Sequence, residues 1–316
     1  MQLDAFGNSN RNLKSKLSAW ARVIRVRLLT ASLVAVANGL AISWSEFHTL
    51  NILYALLTFA GVLSLHASVD ILNDYFDFKN RIDLMTEGTP FSGGTRVLPD
   101  GLLEPQSVYR MGVFFLVLGT LIGIFFTMTR GLIVGAILLF AVLATYFYST
   151  KVVMSGLGEI FLVIKGTLIV FGSYFVQCGV FEFPPLYVGV ILGLLSSSVV
   201  FVNEFPDFRA DAAGGRKNIV VVMGVRGAAR FYAVYPILAV SLCIVGTLFR
   251  IIPYVALVGA LSSVPFFLRT YASLNSKREF RESRDYIPAM ANCVMGSRIL
   301  GVALAISFII RGLGLF

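Results

Sequence analysis

The chain has 316 residues, of which 57% are hydrophobic and only 14% are charged, and its mean hydropathy is +0.82. A soluble domain is typically about 25% charged, so this composition excludes a soluble globular protein and indicates an integral membrane protein. The apolar runs are continuous, which excludes an outer-membrane β-barrel with alternating strands. The net charge of +9 would also suit a nucleic-acid-binding protein, an alternative that depends on where the charges lie.

Nine apolar segments are long enough to be membrane helices of roughly 20 residues. In chain order they are about 25–45, 51–72, 109–129, 131–148, 157–178, 184–203, 229–249, 252–269 and 289–311. The first 24 residues are polar and basic and lack the short apolar core of a cleavable signal peptide. We therefore expect a basic cytoplasmic segment, 1–24, followed by a single transmembrane domain, 25–316.

The basic residues are distributed asymmetrically between the two sides of the predicted membrane protein. With a cytoplasmic N-terminus, the connections after the second, fourth, sixth and eighth segments are inside. These connections and the N-terminus carry most of the Lys and Arg residues, whereas the outer side holds only Arg130, Arg250 and Arg311. This positive-inside bias accounts for the net charge without nucleic acid. It predicts a multi-pass protein of the cell membrane with both motifs described next facing the cytoplasm.

Two acidic motifs follow the second and sixth segments, 130 residues apart. In each motif an Asn is followed four residues later by an Asp and then by a second Asp. The six residues are Asn73, Asp77 and Asp83 in the first motif and Asn203, Asp207 and Asp211 in the second. Residues four and eight apart share a helix face, so each motif can direct oxygen ligands one way. Such costly clusters in an apolar chain indicate a divalent metal that holds an anionic substrate.

The spacing of the motifs also predicts internal organisation. They lie four segments apart, so we interpret the chain as two four-helix repeats plus a ninth helix. A single Asn-x-x-x-Asp at a helix end is commonly a cap or a solvated terminus. Two motifs on the same side at matched segments favour one shared site instead.

Facing carboxylates repel each other unless a cation lies between them, and Mg²⁺ does this while it shares phosphate oxygens. A diphosphate is therefore the natural bridging ligand, and basic residues should neutralise it as it leaves. The candidates on the same predicted side are Lys151, Arg209, Lys217, Arg96 and Arg81. Gly93-Gly94 offers backbone N–H groups to a phosphate or forms a flexible turn. Departure from an allylic carbon would leave a carbocation-like centre for an electron-rich acceptor, with the apolar tail in the bilayer or between helices.

Several polar residues within the spans have two interpretations. Lys165 is functional, as intramembrane ionisable residues commonly are, or it extends its amine towards the membrane surface or pairs with Glu159. Asn38 contacts a substrate or bonds another helix. Tyr146 and Tyr148 end the fourth segment beside the predicted site, where an aromatic belt is also expected.

The motifs, together with Gly156-Leu157-Gly158-Glu159 after the fourth segment, resemble the UbiA superfamily of intramembrane prenyltransferases over roughly residues 20–300. Within it the chain is most similar to the MenA-like branch, which prenylates 1,4-dihydroxy-2-naphthoate towards menaquinone; Asp77-x5-Asp83 and Ser92–Leu98 carry this similarity. The resemblance implies an all-α bundle of about nine transmembrane helices around a central cavity capped by the two acidic loops. It also implies Mg²⁺ on the six motif residues, an isoprenyl diphosphate donor and an aromatic acceptor.

The resemblance implies roles residue by residue. Lys151 matches the lysine of the family's Tyr-x-x-x-Lys motif, although Phe147 occupies the tyrosine position. The usual Arg-Pro near the first span is Arg25-Val26 here, and the second motif closes with 214–218, Gly-Gly-Arg-Lys-Asn, where relatives often have Gly-Lys-Arg-Thr. The expected catalytic residues are Asp77, Asp83, Asp207, Asp211 and Lys151. The expected substrate-binding residues are Asn73, Asn203, Arg96, Arg209, Lys217, Tyr146, Tyr148, Asn38 and Arg25.

Other functions remain open at this point. Prenyl transfer to a glycerol phosphate lipid ether uses the same chemistry, but the Asn-Arg-Pro-x-Arg-Pro run of such enzymes is missing from 85–91. CDP-alcohol phosphotransferases also use membrane aspartates and a metal, but they cluster their aspartates in one stretch, whereas the two motifs here are 130 residues apart. A transporter predicts broken helices and polar groups near mid-membrane. No obligate protein partner is evident, and water, Asp70 and a motif Asp are all candidates for the base that restores aromaticity.

Overall fold

A computed structural model describes residues 16–26, 28–147, 156–276 and 282–315. Within these ranges all regular structure is helical. The α-helices are α1 (Thr30–Phe47), α2 (Ile52–Lys79), α3 (Pro105–Arg130), α4 (Leu132–Phe147), α5 (Gly158–Cys178), α6 (Phe183–Ala213), α7 (Ile219–Phe231), α8 (Val234–Leu248), α9 (Ala256–Leu274) and α10 (Ile287–Gly312). A 3-10 turn, Ser283–Tyr286, precedes α10.

The helices agree with the predicted apolar segments in position. Six stretches of the described chain, comprising α2, α3, α5, α6, α9 and α10 with its preceding turn, are long and apolar enough to cross a membrane. The pair α7 and α8, bent by 49°, makes a seventh if it is one span. The predicted segments 25–45 and 131–148 correspond to α1 and to the 16-residue α4, which fall outside this group. The chain is thus a multi-pass membrane protein, while nine spans and two repeats stay predictions.

Small residues allow the central helices to pack closely. Gly166 of α5 and Gly193 of α6 face each other, and a Cβ on Gly166 would lie 2.6 Å from the Gly193 Cα. A Cβ on Gly189 would meet Thr167 at the same distance. Membrane helices associate through such close contact because lipid gives no hydrophobic drive for their association. The α5–α6 pair therefore forms a rigid wall for whatever lies beside it.

Both motif-bearing helices are longer than the apolar segments that predict them. α2 has 28 residues and α6 has 31, so at 1.5 Å per residue they are about 42 and 46 Å long. A hydrocarbon core is about 30 Å thick, so their polar ends extend beyond it. The predicted segments 51–72 and 184–203 end before these helices do. Hydropathy falls at the motifs, but the backbone stays helical to Lys79 and to Ala213.

The basic segment before α1 packs against the motif end of α2. Residues 16–23 are helical, and Ala19 and Val23 lie in a buried cluster with Ile71 of α2 and Val97 of the following loop. Arg22 Nη2 donates a hydrogen bond of 2.6 Å to the Thr95 carbonyl. This segment therefore helps to hold the loop that follows the first motif.

Candidate active site

A cavity of about 440 Å³ runs through the helix bundle. Its lining on α2 extends from Leu57 to Asp77, twenty residues or about 30 Å of helix. One end is apolar, with residues such as Phe126 and Val176, and the other is strongly polar. Its volume lies within the usual range for small-molecule sites, about 300–1,000 Å³. The cavity is therefore suited to a ligand with a charged head and a long apolar tail.

All six residues of the two acidic motifs line this cavity. Asn73 and Asp77 lie on the last two turns of α2, where Asn73 Nδ2 donates a hydrogen bond of 2.9 Å to Asp77 Oδ2. Asp83 lies beyond the helix, and the chain turns back because the Ile82 N–H bonds the Asp77 carbonyl at 2.9 Å. A shared helix face accounts for Asn73 and Asp77, whereas a turn brings Asp83 to the site.

The second motif lies entirely on α6. Asn203, Asp207 and Asp211 are spaced by four residues and face the cavity together, in agreement with the helical prediction. Asp211 is buried, and its Oδ2 accepts a hydrogen bond of 2.8 Å from Asn218 Nδ2. Asn218 in turn caps α7, because its Oδ1 accepts from the Val221 N–H. The segment after α6 is thereby fixed to the motif.

A glycine pair connects the first loop to the second motif. Gly93 and Gly94 have φ of +80° and +68°, a region that favours glycine. The Gly93 N–H donates a hydrogen bond of 3.0 Å to Asp207 Oδ2. A Cβ on Gly94 would lie 2.7 Å from both carboxylate oxygens of Asp83. The pair is an ordered turn that touches both motifs, and its contact in this structure is with a carboxylate.

Arg216 joins the two motifs directly. Its guanidinium makes an ion pair with Asp77 through Nη2, and Nη1 lies 3.0 Å from Asp211 Oδ1. Burial opposes the charged form, but the ion pairs with Asp77 and Asp211 outweigh it and raise the pKa of Arg216. The sequence predicts Lys217 among the phosphate ligands, and the structure places its neighbour Arg216 in the cavity instead. The signal that could have found it is a cation directly after Gly214-Gly215.

A second arginine is held beside the first motif. Arg25 Nη2 lies 2.5 Å from Asp74 Oδ1, and Thr95 Oγ1 donates to the other oxygen of this carboxylate. Arg25 lines the cavity and has a positive φ of 51°. Both oxygens of Asp74 are used to hold Arg25 and the loop, so Asp74 has a different role from the six predicted ligands. Sequence spacing did not reveal this pairing.

Three buried oxygen atoms on α6 have no hydrogen-bond partner: Asn203 Oδ1, Glu204 Oε2 and Asp207 Oδ1. Unsatisfied buried oxygens are costly, so they are suited to a ligand. Carboxylate and amide oxygens are hard donors that Mg²⁺ prefers. Within the described ranges no three His, Cys, Asp or Glu side chains already form a metal-holding group. The donor chemistry therefore fits Mg²⁺, with Arg216 between the motifs in this arrangement.

The surroundings of Asp83 confirm that negative charge accumulates here. Burial, followed by the charges of Asp77 and Asp74, raises the pKa of Asp83 to about 8. A cation bound nearby would offset this repulsion and favour the ionised form.

The remaining predicted substrate residues lie elsewhere. Arg96 donates to the Asp83 and Thr86 carbonyls and so supports the loop from outside the cavity lining. Arg209 and Lys217 are exposed. Two of the other predicted residues make contacts outside the cavity lining, and two lie outside the described residues. Tyr146 contacts the Phe76 ring, Asn38 is buried and donates to the Gly301 carbonyl, and Lys151 and Tyr148 are outside the described ranges.

Comparison with known proteins identifies the family. The sequence matches the UbiA prenyltransferase family over residues 29–287. The chain belongs to this family. It is 29% identical over 219 residues to UbiA prenyltransferase domain-containing protein 1 of Xenopus tropicalis, which covers 67% of this chain and 62% of that relative. It is 24% identical over 233 residues to the 1,4-dihydroxy-2-naphthoate octaprenyltransferase of Bacillus subtilis, with 71% and 73% of the two chains covered.

Solved structures of the family share the fold. A structure of digeranylgeranylglyceryl phosphate synthase has a TM-score of 0.62 at 21% identity and covers 93% of this chain and 99% of its own. A UbiA homolog from Archaeoglobus fulgidus bound to GPP and Mg²⁺ has a TM-score of 0.61 at 14% identity, with 90% and 99% covered. At these identities the likeness establishes the all-helical fold, and the site of this chain is argued from its own residues.

Proposed function

We propose that the protein transfers an isoprenyl group from a polyprenyl diphosphate to an aromatic quinone precursor in a Mg²⁺-dependent reaction. The observation that carries this proposal is the convergence of six oxygen-bearing residues from two distant motifs at one end of a long apolar cavity. The fold relative bound to GPP and Mg²⁺ supports the same donor class for this chain.

The motif residues have distinct parts in the proposed reaction. Asn73, Asp77 and Asp83 on one side and Asn203, Asp207 and Asp211 on the other would hold Mg²⁺. The metal supplies charge neutralisation for the diphosphate as it leaves the allylic carbon. Arg216 and Arg25 line the same end of the cavity and can donate to phosphate oxygens. The apolar walls near Phe126 hold the isoprenyl tail and exclude water from the reactive carbon.

The acceptor has two candidates that differ in chemistry. Similarity to the Bacillus subtilis enzyme favours a dihydroxynaphthoate-type ring, and the motif spacing in 77–98 agrees with that branch. Likeness to digeranylgeranylglyceryl phosphate synthase favours a glycerol phosphate lipid instead, although it rests on the fold. We favour the aromatic ring because the name of a relative in sequence, and not only in fold, specifies it. The positive-inside bias supports a site that faces the cytoplasm.

The test is Mg²⁺-dependent release of diphosphate by the purified protein from geranylgeranyl diphosphate, with and without 1,4-dihydroxy-2-naphthoate. We expect a prenylated naphthoquinol that disappears with a chelator and in the Asp77→Asn, Asp207→Asn double variant. Asp100→Asn is the matched control, because Asp100 is 43% exposed and pairs with Arg96 in the same loop. It should retain the activity of the unaltered protein.

Each other outcome has a definite meaning. Product only with a glycerol phosphate acceptor would keep the donor site and replace the aromatic acceptor. Full activity in the double variant would refute the metal assignment. If the protein neither binds nor turns over any prenyl diphosphate, the enzyme proposal is contradicted and a transporter is favoured.

A further inference from the structure

A second polar cluster lies deeper in the same cavity, away from the six motif residues. It consists of Ser32 on α1, His66 and Asp70 on α2, and Lys165 on α5, and all four line the cavity. Ser32 Oγ and His66 Nδ1 share a hydrogen bond of 2.7 Å. His66 Nε2 lies 3.7 Å from Asp70 Oδ2, and Lys165 interacts electrostatically with both Asp70 and His66. We call these four residues the deep cluster.

The deep cluster is placed between the motif end and the apolar end of the cavity. Asp70 precedes Asn73 by three residues on α2, which is about 4.5 Å along the helix axis. His66 is a further turn towards the apolar end. A donor whose diphosphate lies at the motifs would carry its first carbon past Asp70. The cluster is therefore beside the carbon at which the proposed reaction occurs.

Asp70 has an oxygen atom that the protein does not satisfy. Its Oδ2 is buried without a hydrogen-bond partner, and the 3.7 Å to His66 Nε2 is too long for a hydrogen bond. A buried acceptor of this kind is costly unless a ligand donates to it. Lys165 provides a cation in the same wall, and charged groups within membrane spans commonly mark substrate sites. The neighbouring lining residues Val69 and Leu162 are apolar and suit the faces of a ring.

We propose that the deep cluster is the acceptor site and that it selects an aromatic ring with a hydroxyl group. The ring hydroxyl donates to Asp70 Oδ2, and Lys165 binds a second ring oxygen or a ring carboxylate. His66, held by Ser32, lies one turn from Asp70 on the same helix. This inference rests on the proposed function, and it adds the residues that bind the acceptor and the residue that takes its proton.

The proposed step balances as follows. Asp70 takes the hydroxyl proton, and the O–H electron pair enters the ring as its carbon forms a bond to the allylic carbon. The allylic carbon–oxygen bond breaks, and the diphosphate leaves with the electron pair of this bond. The resulting dienone loses the proton of its alkylated ring carbon to water while Asp70 returns its proton to the carbonyl oxygen. Aromaticity is restored, and one proton is released with the diphosphate.

The test separates acceptor chemistry from donor binding. Donor binding is measured as Mg²⁺-dependent retention of radiolabelled geranylgeranyl diphosphate by the full-length protein in detergent. Transfer is measured with a panel of 1,4-dihydroxy-2-naphthoate, 4-hydroxybenzoate and glycerol 1-phosphate. The variants are Asp70→Asn and Lys165→Met. Ser64→Ala is the control, since Ser64 is buried on the same helix and is outside the cavity lining.

We expect Asp70→Asn to bind the donor as the unaltered protein does and to lose about 100-fold in kcat, the usual contribution of a general base. Lys165→Met should raise the KM for the acceptor about 10-fold with a smaller effect on kcat. Ser64→Ala should change neither quantity. A merely structural role for Asp70 would lower donor binding and transfer together.

Two results would overturn the inference. One is Asp70→Asn and Lys165→Met variants that both retain transfer within about twofold, well short of the loss expected for a general base. The other is an unaltered protein that prenylates only glycerol 1-phosphate. If either result is found and Asp77→Asn also loses donor binding, the inference fails but the proposal for the donor site stands. Unchanged donor binding in Asp77→Asn would instead refute the proposed function itself.

Discussion

The two acidic motifs have similar sequences but different surroundings. In the first motif Asp77 is paired with Arg216, and its neighbour Asp74 is paired with Arg25. In the second motif Asn203 Oδ1 and Asp207 Oδ1 are buried without a partner. Arginines thus hold Asp77 and its neighbour Asp74, and within the second motif only Asp211 is paired in this way. Asn203 and Asp207 keep oxygen atoms for a ligand. Similar spacing does not imply equal roles, because neighbouring loops decide which carboxylates are already neutralised.

The largest effect should come from Asp207, whose Oδ1 is buried without a hydrogen-bond partner. Replacement of a group that only supports a metal ligand commonly costs 10–100-fold, so Asp207→Asn should lower Mg²⁺-dependent transfer by at least about 100-fold. Its thermal stability should change little, because the lost oxygen has no partner in the protein. Steady-state transfer and thermal unfolding in detergent measure the two effects. A large fall in stability would show that Asp207 has a structural role and would break the comparison.

The next effect should come from the arginine that bridges the motifs. Arg216→Gln leaves Asp77 and Asp211 facing each other, both buried, and removing one member of a buried pair costs about 3–5 kcal/mol. We expect a clear fall in apparent melting temperature. Mg²⁺ should raise the melting temperature of this variant more than that of the unaltered protein, because the ion replaces the missing positive charge. Equal Mg²⁺ effects in both proteins would contradict a metal between the motifs.

A smaller effect is expected at the glycine turn. Gly94→Ala and Gly101→Ala both place a side chain at positive φ, which costs about 1–2 kcal/mol in each. Only at Gly94 does the added Cβ meet the Asp83 carboxylate, since no atom lies within 4 Å at Gly101. We therefore expect about 10-fold weaker donor binding in Gly94→Ala alone, a change of about 1.4 kcal/mol. Equal donor affinities in the two variants would show that the contact with Asp83 has no bearing on binding.

The smallest effect is expected away from the cavity. Asn38 donates to the Val34 and Gly301 carbonyls and joins α1 to α10. Interhelical hydrogen bonds in membranes contribute about 0.6 kcal/mol on average, so Asn38→Ala should destabilise the protein by a similar amount. Its kcat and KM should be unchanged. A raised KM for donor or acceptor would restore the alternative in which Asn38 contacts a substrate.

The sequence by itself determined the membrane class, the helical fold and the two motifs. Hydropathy measures how each segment partitions into lipid, and a spacing of four residues places Asn203, Asp207 and Asp211 on one face regardless of the rest of the fold. The family resemblance stated from these motifs is confirmed by the match over 29–287.

Only the tertiary structure decided which charges meet. Arg216, rather than Lys217, enters the cavity because the turn after α6 directs one side chain inward and leaves the next exposed. The hydrogen bond from Gly93 to Asp207 joins residues more than thirty positions apart, and so does the deep cluster, which brings Ser32 and Lys165 to His66 and Asp70. Such pairings depend on helix packing and loop paths, which local patterns of hydropathy and spacing do not contain.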